Sequence, residues 1–199
     1  MAIYTGIDPS ISCTGIALVE YDIESNSFKL LDKKSISPSG KLRGYYRSAE
    51  AFELFKFMFE TYSIYDQSSF YVFENYSYGS PGKLAELGEL GGMYKNYIDK
   101  TLKKPFDVIP PQTVKKALTG SGKADKAMVK EGLEKYVSNL NDFTFQNYDE
   151  SDAVAVAVAY GLNMLSKMNE SKENWKSFKI SVWHIKWKCS NQSRVYFDG

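Results

Sequence analysis

Cysteine, histidine and long apolar runs are all scarce in this chain of 199 residues, and each scarcity removes a class of function. The two cysteines, Cys13 and Cys189, cannot form the disulfide framework of a protein this long, and no Cys/His spacing of a zinc site accompanies them. A reducing cytosol is the expected environment. The single histidine, His184, excludes catalysis by a histidine dyad and any two-histidine metal site, so carboxylates are the remaining candidates for chemistry. No window approaches the roughly 18 apolar residues of a membrane span, and the N-terminus enters Ile3-Tyr4-Thr5-Gly6-Ile7-Asp8 without a basic start and apolar segment. A soluble cytoplasmic protein with no membrane partner is expected. Charge of one sign is lacking too. A net charge of +1 rules out a uniformly basic coat, so any nucleic-acid surface must come from local clustering. Such a cluster exists between Lys100 and Lys135, where nine lysines face Asp107, Asp125, Glu131 and Glu134, a local excess of +5.

What the chain does have is apolar mass: 43% hydrophobic residues, with 12 Phe and 15 Tyr, enough for one compact domain whose aromatics are mostly core. Residues 2 to 8 and 14 to 21 are rich in β-formers and flank a polar turn at Pro9-Ser10-Ile11-Ser12-Cys13, predicting two strands, and residues 27 to 34 are a candidate third. Tyr45, Phe52, Phe55, Phe59 and Tyr62 recur at helical spacing. Ser69 to Glu74 is a short apolar run with an acid at its exit, the pattern of a buried strand. Leu87, Gly91, Tyr94 and Ile98 predict a helix over about 84 to 102. Gly88, Gly91 and Gly92 each weaken it by about 1 kcal/mol relative to Ala. Close approach of another backbone, as across a dimer interface, is the preferred reason, and simple local weakness is the alternative. A strand is predicted over 106 to 109, and then a helix through Val129, Leu133, Tyr136, Val137 and Leu140, capped by Asp125. Ala153 to Ala159 alternates Ala and Val and fits either a strand or a buried helix. The helix is preferred, because it puts Asp149 and Asp152 at i and i+3 on one face.

Four acids then occupy informative places: Asp8 and Glu74 at strand ends, Asp149 and Asp152 at the start of the last helix. An ionised carboxylate at the edge of buried structure is costly unless solvated, paired or bound to metal. Convergence of all four on one metal site would explain them together. Magnesium suits such a site because it prefers oxygen ligands and keeps several waters. Two ions can stabilise both the attacking and the leaving oxygen of a phosphodiester displacement. Taken singly, Asp8 or Asp149 is as readily a turn former or a helix cap.

The segments Gly6-Ile7-Asp8-Pro9-Ser10 with Thr14-Gly15, Phe73-Glu74-Asn75, Gly122-Lys123-Ala124-Asp125-Lys126 and Asp149-Glu150-Ser151-Asp152-Ala153 resemble, in order and spacing, the RuvC family of Holliday junction resolvases. The resemblance spans about residues 3 to 165. It implies an α/β, RNase H-like fold, a central mixed sheet flanked by helices, and a homodimer that cuts opposing strands of four-way DNA in recombination and repair. It also implies that Asp8, Glu74, Asp149 and Asp152 are the metal-binding catalytic acids. The metal would be Mg²⁺, with Mn²⁺ a substitute and two ions per active site. Lys115 and Lys126 match positions of basic residues near the scissile phosphate, and Lys116 and Lys83 are further DNA-binding candidates. Tyr76 or Tyr78, in the loop after Glu74, would stack on an unpaired base or else pack beneath the loop. Departures are Ser10, where a glycine is usual, and Gly88-Glu89-Leu90-Gly91, which lacks the family's arginine. Such divergence looks like a bacteriophage version. The nuclease domain is expected over 1 to 165, with a tail of unknown role over 166 to 199.

Other readings are another RNase H-like nuclease acting on branched DNA or RNA, and a non-catalytic junction-binding protein. A sugar-kinase or actin-like ATPase needs a duplicated domain that 199 residues do not supply. Thr119-Gly120-Ser121-Gly122-Lys123 lacks the spacing of a phosphate loop and reads as a loop before a helix.

Overall fold

The computed structural model describes residues 2–22, 24–76 and 84–170, with side chains to residue 167. Tyr78 and Lys83, and the tail from 171 with His184 and Cys189, lie outside the described residues. The chain divides into two units, Met1–Leu162 and Asn163–Gly199. The sheet and every described residue of the carboxylate site lie in the first.

Five strands form one mixed sheet: β1 Ala2–Asp8, β2 Thr14–Asp22, β3 Ser27–Ile36, β4 Phe70–Glu74 and β5 Phe106–Ile109, in the order β3-β2-β1-β4-β5. β1, β2 and β3 pair antiparallel, whereas β4 runs parallel to β1 and β5 parallel to β4. The helices are α1 Gly44–Thr61, α2 Leu84–Asn96, α3 Pro111–Thr119, α4 Lys126–Tyr136 and α5 Tyr148–Glu170. Alternation along β1 sends its side chains to opposite faces. Ile7 joins Ile16, Leu18 and Phe73 in a core that α1 and α2 close with Phe55, Met58, Phe59, Leu90 and Tyr94. Phe55 stacks on Tyr94 at 4.0 Å, and Phe59 meets Tyr65 and Tyr71, so much of the aromatic load is interior packing. The opposite face belongs to α5, with Tyr4 and Phe70 packed on Tyr160.

The Ala/Val run is a helix, and its composition has a geometric reason. At Gly6 a Cβ would lie 2.1 Å from the Ala153 carbonyl oxygen and 2.8 Å from the Ala157 amide nitrogen. A helix this close to a strand tolerates only small residues at the contact, which is why alanines alternate with the buried valines.

Four expectations change. Tyr45 and Tyr62 are 61% and 43% exposed, so they do not belong to the buried stripe of α1. The predicted helix over 84–102 is α2 followed by a wider turn with π-type hydrogen bonding at Tyr97–Thr101. At Gly91 the neighbour that excludes a Cβ is the hydroxyl of Tyr76, a side chain instead of a backbone, while Gly88 and Gly92 have nothing within 4 Å among the described residues. Helix α3 has no counterpart in the sequence reading, which passes from the strand at 106–109 directly to the helix capped by Asp125. Pro111 takes the first helical position, where its missing N–H costs nothing, and Gly120 ends the helix at φ 81°. Asp125 caps α4 as expected, accepting from the Met128 amide at 2.9 Å. Among the described residues no helix is long and apolar enough to cross a membrane.

Candidate active site

Because β1 and β4 are parallel neighbours in the register Ile7↔Phe73, Asp8 and Glu74 leave the sheet side by side at the same edge. α5 begins at Tyr148 and brings Asp149 and Asp152 to that edge, three residues apart on one helical face. Gly15, at the start of β2, lets this happen: a Cβ there would stand 1.8 Å from the Asp149 carbonyl oxygen. Gly15→Ala is therefore expected to lower stability by about 1–3 kcal/mol and to reduce activity, read by thermal melting and an activity assay. Gly88→Ala, in open space on an exposed helical turn, should leave melting unchanged or raise it.

The four acids report on one another electrostatically. The Asp8 carboxyl is held well above the usual range, first by burial, then by the charges of Glu74 and Asp152, a hydrogen bond with Glu74 and the charge of Asp149. Burial pushes Glu74 up to about 7, and Asp152 adds to this, against the opposing hydrogen bond from Asp8 and the cations Lys115 and Lys126. Asp152 is raised by burial and Asp149, and lowered by Lys126 and Lys115. Lys126 Nζ stands 3.5 Å from Asp152 Oδ2 and 4.5 Å above the Tyr148 ring; at 67% exposure this ion pair contributes little to stability and leaves the ammonium free to reach a ligand.

The sequence-predicted lysines separate here. Lys115, on α3, and Lys126, at the start of α4, both act on the acid cluster. Lys116 is exposed on α3 and makes no ion pair among the described residues. Tyr76 packs against α2 in the notch left by Gly91, with Lys95 Nζ 5.2 Å over its ring.

Sequence reasoning missed the device that seats α5. Glu150, between the two acids, forms a buried ion pair with Lys33 of β3, the side chains being 3% and 9% exposed. The same carboxylate accepts the Gln146 amide at 2.9 Å, while Asn147 Oδ1 caps the helix start by accepting the Glu150 amide at 3.0 Å. Asn147 Nδ2 also donates to Ser35 Oγ at 2.9 Å and lies 3.6 Å from Cys13 Sγ. Asn147 followed three residues later by Glu150 is a legible capping signal. Its partner on β3 is a tertiary contact with no local signature.

Four hard oxygen donors, three of them disfavoured as anions by burial and by each other, match the needs of a divalent cation, which reverses that penalty and favours the charged forms. The set is convergent without being a closed cage: among the described residues no three acidic, histidine or cysteine side chains are already posed around one point.

A family profile described as crossover junction endodeoxyribonuclease RuvC matches residues 4–160. A crossover junction endodeoxyribonuclease RuvC of Wolbachia sp. subsp. Drosophila simulans (strain wRi) is 31% identical over 155 residues, 78% of this chain and 91% of that protein. The structure of Thermus thermophilus RuvC is similar with a TM-score of 0.68 at 18% identity, covering 83% of this chain and 96% of that one. The same protein in complex with a Holliday junction substrate gives 0.68 over 82% and 95%, again at 18% identity. These two structures establish likeness of fold. None of these relatives supports the expected bacteriophage character.

Proposed function

The chain belongs to the RuvC family of crossover junction endodeoxyribonucleases, and from that premise we infer that it resolves four-way (Holliday) DNA junctions by hydrolysing phosphodiester bonds at Asp8, Glu74, Asp149 and Asp152. The observation that supports these residues is their convergence: the parallel register Ile7↔Phe73 carries Asp8 and Glu74 to one edge of the sheet, α5 carries Asp149 and Asp152, and burial with neighbouring acidic charge raises Asp8, Glu74 and Asp152. The family's activity depends on a divalent metal. The four acids would hold Mg²⁺, with Mn²⁺ as a substitute and two ions per site, and the metal would supply positive charge to the attacking and leaving oxygens of an in-line displacement. The protein's own groups then have distinct tasks. Asp8 and Glu74, fixed at strand ends, set the position of the site relative to the sheet. Lys115 and Lys126 neutralise and orient the scissile phosphate. Tyr76 is seated on α2, and we assign Tyr78, Lys83 and Lys116 to the DNA surface. The nuclease domain comprises residues 1 to 165. A homodimer presents two such clusters to opposed strands of the junction.

The test is to incubate purified protein with a four-way junction, a three-way branch and a linear duplex, each with Mg²⁺, with Mn²⁺ and with a chelator. Cutting confined to the four-way junction and to metal-containing reactions is expected. Equal cutting of the three-way branch would transfer the activity to branched DNA in general, and cutting in chelator would overturn the metal assignment. The pH dependence has a defined sign. Glu74 at about 7 and the raised Asp8 must ionise to hold metal, so cleavage rises as pH climbs through about 7. In chelator these groups bind protons more tightly folded than unfolded. Their contribution to stability is therefore present below the unfolded value of about 4.3 and lost as pH rises through about 7. Melting temperature in chelator should fall across that window, and Mg²⁺ should restore it at the alkaline end.

A further inference from the structure

Two of the chain's three arginines, Arg43 and Arg47, have no assigned role, and both line the same cavity. The cavity has a volume of about 390 Å³. Its walls are Ser10, Ile11 and Ser12 from the turn after β1, Arg43, Gly44 and Arg47 from the start of α1, and Glu86 and Leu87 from α2. Among the described residues neither guanidinium has a hydrogen bond or an ion pair, and the Nε of Arg47 is a buried donor with no acceptor. A buried donor left without a partner costs about 1–3 kcal/mol, so the site suits an acceptor that the described residues do not supply.

Three further features select an anion. Helix α1 starts here without a side-chain cap and with no acid in its first turn, so its leading amides and the positive end of its dipole face this region uncompensated. The turn that forms the opposite wall is braced. Thr14 Oγ1 donates to the Ser10 carbonyl at 3.0 Å and is itself 3.2 Å from the buried Tyr94 hydroxyl, and the hydroxyls of Ser10 and Ser12 lie 3.1 Å apart. One carboxylate, Glu86, faces two guanidiniums, which leaves the cavity lining with a net positive charge. Next in sequence, Tyr45 and Tyr46 are 61% and 72% exposed with their rings edge-on at 5.8 Å, and exposed aromatics next to arginine offer the stacking and charge that nucleic acid uses.

We propose that Arg43 and Arg47, with the hydroxyls of Ser10 and Ser12, bind a backbone phosphate of the substrate DNA beside the cleavage site. The position fits this role, because Ser10 is two residues beyond Asp8 and hence within roughly 7 Å of it along the chain. A strand whose scissile phosphate lies on the acid cluster presents a neighbouring phosphate to this wall. The pocket orients the DNA without touching the reacting atoms. It rests on the junction-nuclease reading and adds to it a phosphate contact made by residues other than Lys115 and Lys126.

The experiment compares wild-type protein with R43Q, R43Q/R47Q and R43K/R47K for binding of a four-way junction in chelator, by fluorescence anisotropy across a salt series, with thermal melting as a check on folding. The double glutamine variant should bind about tenfold or more weakly. Its plot of log affinity against log salt should be shallower by about one, the signature of one lost phosphate contact. The double lysine variant should keep the wild-type slope. R43Q changes an exposed side chain and keeps the test valid if R47Q disturbs packing; it should weaken binding by a smaller factor at unchanged melting temperature. Wild-type affinity and slope in R43Q/R47Q and R43Q would overturn the pocket while leaving the junction reading intact. Wild-type protein that fails to bind the junction would overturn both.

Discussion

Asp8→Asn and Asp152→Asn should each reduce junction cleavage by about a thousandfold or more while leaving binding of the uncut junction unchanged. The amide preserves the shape of the side chain and removes its charge. That isolates the carboxylate's hold on a divalent cation from any steric effect. Both side chains are raised first by burial, and the charges of other acids in the cluster add to this, so neutralising one removes a buried charge and should hold or raise the melting temperature in chelator. Single-turnover cleavage, gel-shift binding and melting separate the possibilities. Loss of binding along with cleavage would make the acids structural, and retained cleavage would remove them from the mechanism.

The second large effect is on stability. Lys33 and Glu150 form a buried ion pair, 9% and 3% exposed, and Glu150 also carries the hydrogen bond from Gln146. Changing one member, in Lys33→Met or Glu150→Gln, removes the mutual compensation and leaves a charge or a polar group poorly satisfied. Breaking such a pair costs about 3–5 kcal/mol, and a domain of this size loses roughly 2–4 °C of Tm for each kcal/mol. The double replacement K33M/E150L removes both charges and should recover a large part of the loss. Because Glu150 sits between Asp149 and Asp152, the single variants should also cut more slowly well below their melting temperatures. Equal stability of the single variants and the wild type in urea and in heat would show that the pair contributes nothing.

These effects also mark where sequence reading ends. The strands and the cap at Asp125 follow from periodicity and turn residues, which are properties of neighbouring residues; the four acids stand out by their places at element ends and by motif order, while Ala153–Ala159 fits strand or helix by periodicity and reads as a helix only because that puts Asp149 and Asp152 on one face. Helix α3 did not follow, because Pro110-Pro111 carries a breaking signal that only the position of Pro111 at the helix start reverses. Gly91 was legible as a place of close approach, but that its neighbour is the Tyr76 hydroxyl depends on how β4 and α2 pack. Lys33 and Arg47 look in sequence like any surface cations. Their meaning comes from Glu150 on a helix more than a hundred residues away, and from a cavity assembled from three separate segments.

The glycines at 6 and 15 bring the backbone of α5 against β1 and β2 so tightly that no side chain fits between them. Strand-borne and helix-borne acids therefore form a single stiff jaw with a fixed bite. A jaw that does not flex leaves the bending to its substrate, and smooth bending of continuous duplex is expensive. Arms that pivot about a crossover would conform at less energetic cost, and the side-by-side assay of four-way junction, three-way branch and linear duplex reads that difference directly.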